Sequence, residues 1–287
     1  MNAIVLPRRP AARPRSWMRR DPFAALALIY LIALAILSLV APWIAGHSPT
    51  VQDSAAVLAP PGGDHLMGTD DLGRDVFSRL IHGAPVTLAA SLLAVTVAAV
   101  IGLPLGLIAG FLGGWVDEII SRAIDTMLSF PAIVLAIGVT GALGVGLVNS
   151  MIAVGLVFAP TLARLVRGQT LIIRSELYVD AARCFGVSDF HLIVRHILPN
   201  AIQPAIVQMT LLLASALLAE ASLSFLGLGV QPPNPSWGAM LARAYHYMEI
   251  APEQMYAPGI AILLTSLAFN TLGESLRARL DPTLRQR

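Results

Sequence analysis

The chain has no lysine: all 19 basic residues among its 287 are arginine. Net charge is only +2, so the information in the arginines lies in where they fall along the chain. Cysteine is nearly absent. The lone Cys184 excludes an internal disulfide, and with neither a C-x-x-C pair nor a His/Cys cluster present it reads as a free thiol with a packing role. No metal-ligand set is predicted. Charged residues amount to 13% against 56% hydrophobic, which excludes a water-soluble domain, since a body of this size could not hide so much apolar surface. Also missing is a Gly-x4-Gly-Lys-Ser/Thr loop to cradle phosphates, with an acidic Mg²⁺ partner beside it, so the chain is predicted not to be a nucleotide-hydrolysing enzyme.

What is present is a series of long apolar runs. Arg8, Arg9, Arg13, Arg15, Arg19 and Arg20 precede Phe23–Ala45, which exceeds a cleavable signal core of about 7–15 residues and approaches the roughly 20 needed to span hydrocarbon. It reads as a retained first span. Pro85–Leu112, Ile119–Leu143, Leu147–Leu171, Ala201–Leu226 and Tyr256–Leu276 follow, making six. Backbone amides in hydrocarbon must be satisfied within each segment, so the expected fold class is an all-α integral membrane protein. Gly102, Pro104, Gly106 and Gly110 mark the second span as the visibly broken one, and they read as packing notches for a neighbouring helix.

Six spans put both termini on one side. With that side cytoplasmic, only Arg74, Arg79 and Arg243 fall outside, in accord with the positive-inside rule. The predicted organisation is a cytoplasmic tail over 1–22, a first span over 23–45 and an external segment over 46–84. A five-helix core over 85–276 follows, with an internal loop at 173–200 and an external loop at 230–255, then a cytoplasmic tail over 277–287.

The internal loop is too apolar for a linker. It reads Ser175-Glu176-Leu177-Tyr178-Val179-Asp180-Ala181-Ala182-Arg183-Cys184-Phe185-Gly186, then runs through Ser188-Asp189 to Leu198-Pro199-Asn200. Asp180 can cap or charge-complement a short helix, Ala181 and Ala182 keep one face thin, and Gly186 permits a turn. Ser188 offers a second helix start, and Pro199 fits the first turn of the fifth span. Short helices beneath the membrane, thin enough to enter a groove on a partner, are expected.

Here the sequence resembles the permease subunits of ATP-binding-cassette importers, whose cytoplasmic loop carries Glu-Ala-Ala, a Gly four residues after the second Ala, and a later Leu-Pro. This chain has Asp180-Ala181-Ala182, Gly186 and Leu198-Pro199, with Asp for Glu shortening the reach by one methylene. His65 to Arg79 resembles the external segment of the peptide and nickel branch, in its second permease. Ser224 to Gly238 resembles that branch's exit from the fifth span, and Phe269-Asn270 through Leu280-Asp281-Pro282 its C-terminal close. Pro252-Glu253 departs from the family's Pro-Trp before the sixth span.

The resemblance implies a type I importer permease bundle translocating di- or oligopeptides, nickel or related small solutes across the bacterial inner membrane. It implies docking through Asp180, Ala181, Ala182, Arg183, Gly186, Leu198 and Pro199. The implied partners are a homologous second permease, two ABC ATPase subunits and a periplasmic or lipid-anchored solute-binding protein, set in membrane lipid and without nucleic acid. No cofactor is expected on this chain; ATP and Mg²⁺ belong to the ATPases.

Three polar residues at membrane depth are candidates, since a charge there costs about 2.5 kcal/mol or more. Asp125 reads as paired with an arginine or interfacial water, against substrate contact. Glu220 reads as pore-lining or as a structural hydrogen-bonding group, and Asn270 joins the set. Gly68-Thr69-Asp70-Asp71 lacks the spaced oxygens of a calcium loop and reads as a helix-start cap. Asp75, Ser78 and His82 lack a nucleophile elbow. Pro232, Pro233, Pro235 and Trp237 form a gate or docking rim, or Trp237 and Tyr245 anchor the interface. The rivals are a gradient-driven secondary transporter, which would show matched halves with broken helices, and an intramembrane enzyme, whose residue constellation is missing.

Overall fold

A computed structural model of the protein describes residues 21–280. The N-terminal arginines and the Asp281-Pro282 close lie outside the described residues. The elements are α1 (Pro22–Ile44), α2 (Val76–Leu112), α3 (Gly114–Leu128), α4 (Ala132–Leu143), α5 (Leu147–Arg174), α6 (Leu177–Cys184), α7 (Asp189–Leu192), a π-helical turn (Ile193–Ile197), α8 (Leu198–Phe225), α9 (Trp237–Tyr245) and α10 (Glu253–Leu280). Among the described residues the only β-pairing is two isolated bridges. Five helical segments are long and apolar enough to cross a bilayer, and the count is six if the bent pair α3–α4 is taken as one span.

Local chemistry sets the helix starts. Pro22 occupies the first turn of α1, where its missing N–H costs nothing, and Asp21 accepts from the Ala24 amide at 3.1 Å. Asp75 does the same for α2, accepting from the Ser78 amide at 2.6 Å. The predicted helix start at Gly68–Asp71 is corrected accordingly: the cap is Asp75, and α2 begins at Val76, ahead of the predicted second span at Pro85.

The centre of the bundle is the α2–α5 pair. A Cβ built on Gly102 would stand 2.7 Å from the Ala159 carbonyl oxygen, one on Gly106 2.5 Å from that of Ala163, and one on Gly110 2.6 Å from Thr170 Cβ. In lipid, where apolar surface gains little by leaving its solvent, such backbone approach supplies the van der Waals contact that holds helices together. α8 packs across both, and Ala90, Ala94, Met151, Val154, Leu212 and Leu223 fill the space between them. α1 lies at the periphery, held to α10 by a 2.9 Å hydrogen bond between Tyr30 and Thr265.

Two predictions about broken helices are corrected together. α2 runs unbroken for 37 residues through Pro85 and Pro104, because its glycines face α5 as contact surface rather than as a hinge. The break falls instead in the third span, expected as continuous over Ile119–Leu143. Its halves meet at 97° around Ser129-Phe130-Pro131, where Pro131 lacks an N–H and disfavours helical conformation in the residue before it. Further along, the helical backbone of the fifth span begins at Asp189, well before Ala201.

Candidate functional site

The internal loop folds as two short helices joined by a turn. α5 ends at Arg174, and α6 follows with Asp180 in its first turn, where a negative charge complements the helix dipole. Asp180 makes no cap; Glu176 holds the cap position without a side-chain bond. Gly186 closes α6 at φ +75°, a conformation a side chain rarely adopts, and its amide reaches the Arg183 carbonyl at 2.9 Å. α7 then begins after Ser188 and passes through the π turn into α8, with Leu198 and Pro199 at the joint. A π turn inside α-helix is rare and recurs at functional sites.

This segment has two faces. Val179, Leu192 and Ile197 are fully buried against Leu107, Phe111, Leu162, Val166 and Ile173 at the ends of α2 and α5. Arg183, itself exposed, lies over the Phe111 ring at 5.4 Å in a cation–π contact. On the other face Leu177, Phe185 and Phe190 are 85%, 88% and 77% exposed, beside exposed Asp180 and Ala181. Cys184 also faces outward, which corrects the expectation of a packing role.

Near this end, α3 is pinned to α5. Arg167 meets Asp117 through both Nε and Nη2, and Arg164 pairs with Asp125, itself largely exposed. Glu220 is fully buried between α8 and α9. Its Oε1 accepts from Ser224 at 2.8 Å and Ser236 at 2.9 Å. The Gly238 amide comes near the carboxylate without meeting Oε2 in hydrogen-bond geometry. Asn270 is exposed on α10 and makes no side-chain hydrogen bond among the described residues. The structure therefore does not bring Glu220, Asp125 and Asn270 together.

At the opposite end the segment 46–75 is stitched over the bundle. Asp70 takes the Arg74 amide and Leu72 amide on Oδ1 and Arg74 Nε on Oδ2 at 2.7 Å. Arg79 donates to the Pro49 carbonyl at 2.7 Å, Arg243 to Asp71 at 2.9 Å, and Gln254 to the Thr69 carbonyl at 2.9 Å. Arg74 Nη2 contacts Asp70 at 2.6 Å as an ion pair but outside hydrogen-bond geometry. Arg74, Arg79, Arg243, Asp71, Gln231 and Tyr247 line a cavity of about 330 Å³ open at this end. The sequence set these three arginines apart as the external ones, without placing them around a shared cavity.

Trp237 is 1% exposed, with its indole N–H donating to the Leu80 carbonyl at 2.9 Å, so it is a core residue rather than an interfacial anchor. Ser78 and His82 do not form a triad with Asp75, because the Ser78 hydroxyl donates to the His47 carbonyl. Asp75 instead shares a 2.9 Å bond with His65 Nδ1, beside His47.

Residues 102–286 match the family described as the binding-protein-dependent transport system inner membrane component, and residues 17–61 match the N-terminal TM domain of oligopeptide transport permease C. The glutathione transport system permease proteins GsiD of Escherichia coli O6:K15:H31 (strain 536 / UPEC) and Shigella boydii serotype 4 (strain Sb227) are each 44% identical to this chain. That identity runs over 268 residues, 93% of this chain and 88% of theirs. Among solved structures, an inward-facing MetNI methionine ABC transporter superposes with a TM-score of 0.58 at 20% identity, covering 71% of this chain and 96% of its own. An amino acid ABC transporter gives 0.50 at 18% identity, with coverage of 73% and 94%. The likeness in fold, the family match and the identity to GsiD agree: the chain belongs to the binding-protein-dependent inner membrane components, as a multi-pass, non-enzymatic permease subunit of an ABC importer.

Proposed function

We propose that this permease carries small peptides or peptide-like solutes inward, driven by two ATPase subunits that seat on α6, the Gly186 turn and α7. The observation that carries the coupling is the outward face of that segment. Leu177, Phe185 and Phe190 stand almost fully exposed on a segment whose inner face is anchored by Val179, Leu192 and Ile197. Apolar knobs on a supported segment suit a groove in a partner protein. Motion of the segment would reach α8 directly through the π turn, which has no intervening loop to absorb it.

For the substrate, support comes from the curated relatives, which are named for glutathione, a peptide bearing carboxylates. An external cavity with three arginines against Asp71 favours carboxylate-bearing solutes over a bare metal cation. A homologous second permease completes the pore, and a solute-binding protein delivers to the external end. Both termini and the α6–α7 segment are cytoplasmic in this reading. ATP and Mg²⁺ are held by the ATPases alone, and this chain takes no part in holding the nucleotide.

The test is cross-linking of the assembled importer in membranes, with Cys184→Ser and a new cysteine at Ala182 opposite one in the ATPase groove. A cross-link whose yield changes with ATP supports the docking. No cross-link from any position between Val179 and Phe190, in an assembled complex, overturns it. Uptake of labelled glutathione and dipeptides by the same complex tests the substrate class, and transport of neither overturns that part.

A further inference from the structure

The chain holds 6 histidines, and two of them converge on one carboxylate outside the spans. Asp75 is almost fully buried at the start of α2. Its Oδ1 is occupied by the Ser78 amide, which leaves Oδ2 to point at His65 Nδ1, 2.9 Å away. The His47 ring stands beside that of His65, centroids 5.1 Å apart at 39°. One ligand atom from each of His47, His65 and Asp75 lies within 4.8 Å of the other two.

We propose that His47, His65 and Asp75 form a binding site for a divalent transition cation of the Zn²⁺ class. Two imidazoles and a carboxylate are donors such ions prefer, whereas Mg²⁺ and Ca²⁺ favour all-oxygen shells. Tetrahedral ligation with bonds of about 2.0–2.1 Å places donor atoms roughly 3.3 Å apart. The pair His65–Asp75 is already at that scale, so closure requires only the His47 ring to swing inward. That ring is free to do so: it is exposed and makes no side-chain hydrogen bond among the described residues. Its backbone, in contrast, is fixed, because the His47 carbonyl accepts from the Ser78 hydroxyl at 2.6 Å. Ser78 therefore fixes the Asp75 carboxylate through its amide and the His47 backbone through its hydroxyl, and a bond to a ligating carboxylate orients it for a metal. A bound ion would clamp the exit of α1 to the entry of α2, fixing one end of the segment that carries Asp70, Arg74 and the arginine-lined cavity.

This proposal is independent of the substrate and of the ATPase docking. It is tested on the assembled importer in lipid nanodiscs, purified without a histidine tag, dialysed against ZnCl₂ and analysed for bound zinc. His47→Ala is the decisive variant, because it leaves the His65–Asp75 bond and the α2 cap intact. The expected result is one zinc per permease chain in the natural protein, resistant to excess Mg²⁺, and an affinity at least about ten-fold weaker in both His47→Ala and His65→Ala. Equal zinc binding by the natural protein and His47→Ala, or displacement of the zinc by Mg²⁺, would overturn it.

Discussion

Gly106 lies so close under α5 that a Cβ on it would stand 2.5 Å from the Ala163 carbonyl oxygen and 2.7 Å from Val166 Cβ. Both are fixed atoms of a packed helix, so Gly106→Ala cannot be absorbed by a side-chain rotation. A loss of about 1–3 kcal/mol is expected from forced separation of α2 and α5. Gly138→Ala in α4 is the control, with nothing within 4 Å of the new atom. Thermal unfolding of the purified importer should fall for the first and hold for the second; equal behaviour would show that the close approach is not a stability determinant.

Glu220 makes a different prediction. Because Oε1 accepts from both Ser224 and Ser236, Glu220→Ala strands two buried hydroxyls and loosens α9 from α8, at about 1–3 kcal/mol. Glu220→Gln keeps that acceptor and should lose less. A residue lining the pore would show the reverse pattern, with stability unchanged in both variants and transport altered in both, and paired unfolding and uptake measurements separate the two.

How far the sequence revealed this architecture depends on whether a feature is periodic. The α2 notches at Gly102, Gly106 and Gly110 recur every four residues, so their common face and role could be read before any partner helix was known. The bend at Pro131 was harder. Apolar content is continuous from Ile119 to Leu143, and a count of hydrophobic residues does not register that a proline interrupts the backbone. Burial of Trp237 depends on Leu80, far away in sequence, and an aromatic at the membrane exit otherwise reads as an anchor. His47, His65 and Asp75 lie on irregular chain at unequal spacings, which carries no helical or strand signal. The long-range pair of Asp71 with Arg243 was hidden for the same reason.

The pinning of α3 to α5 can be tested by a double-mutant cycle. Arg167 and Asp117 are 31% and 17% exposed, so solvent screens part of their attraction, and a coupling of about 1 kcal/mol is expected. Arg167→Ala and Asp117→Ala should each lower thermal stability, and their double variant should lose less than the sum of the two. Strict additivity in that double-mutant cycle would mean the two side chains do not interact in the membrane.

The last prediction concerns Gly186, whose φ of +75° and open surroundings separate two effects of substitution. A Cβ there meets nothing within 4 Å, so Gly186→Ala costs only the conformational penalty of a left-handed residue, about 1–2 kcal/mol, borne by a local turn. Gly186→Asp adds a carboxylate next to exposed Phe185, on the face assigned to the ATPase. Burying that charge in a docking interface without a partner is expensive, while the membrane helices are untouched. Gly186→Asp is therefore expected to insert and assemble with its permease partner yet lose uptake and the ATP-dependent cross-link, with Gly186→Ala between it and the natural protein. The measurement is uptake in membranes matched for inserted protein by immunoblot. Normal uptake by Gly186→Asp would mean that the turn after α6 does not face the ATPase, and the surface marked by Leu177, Phe185 and Phe190 would then need a different occupant.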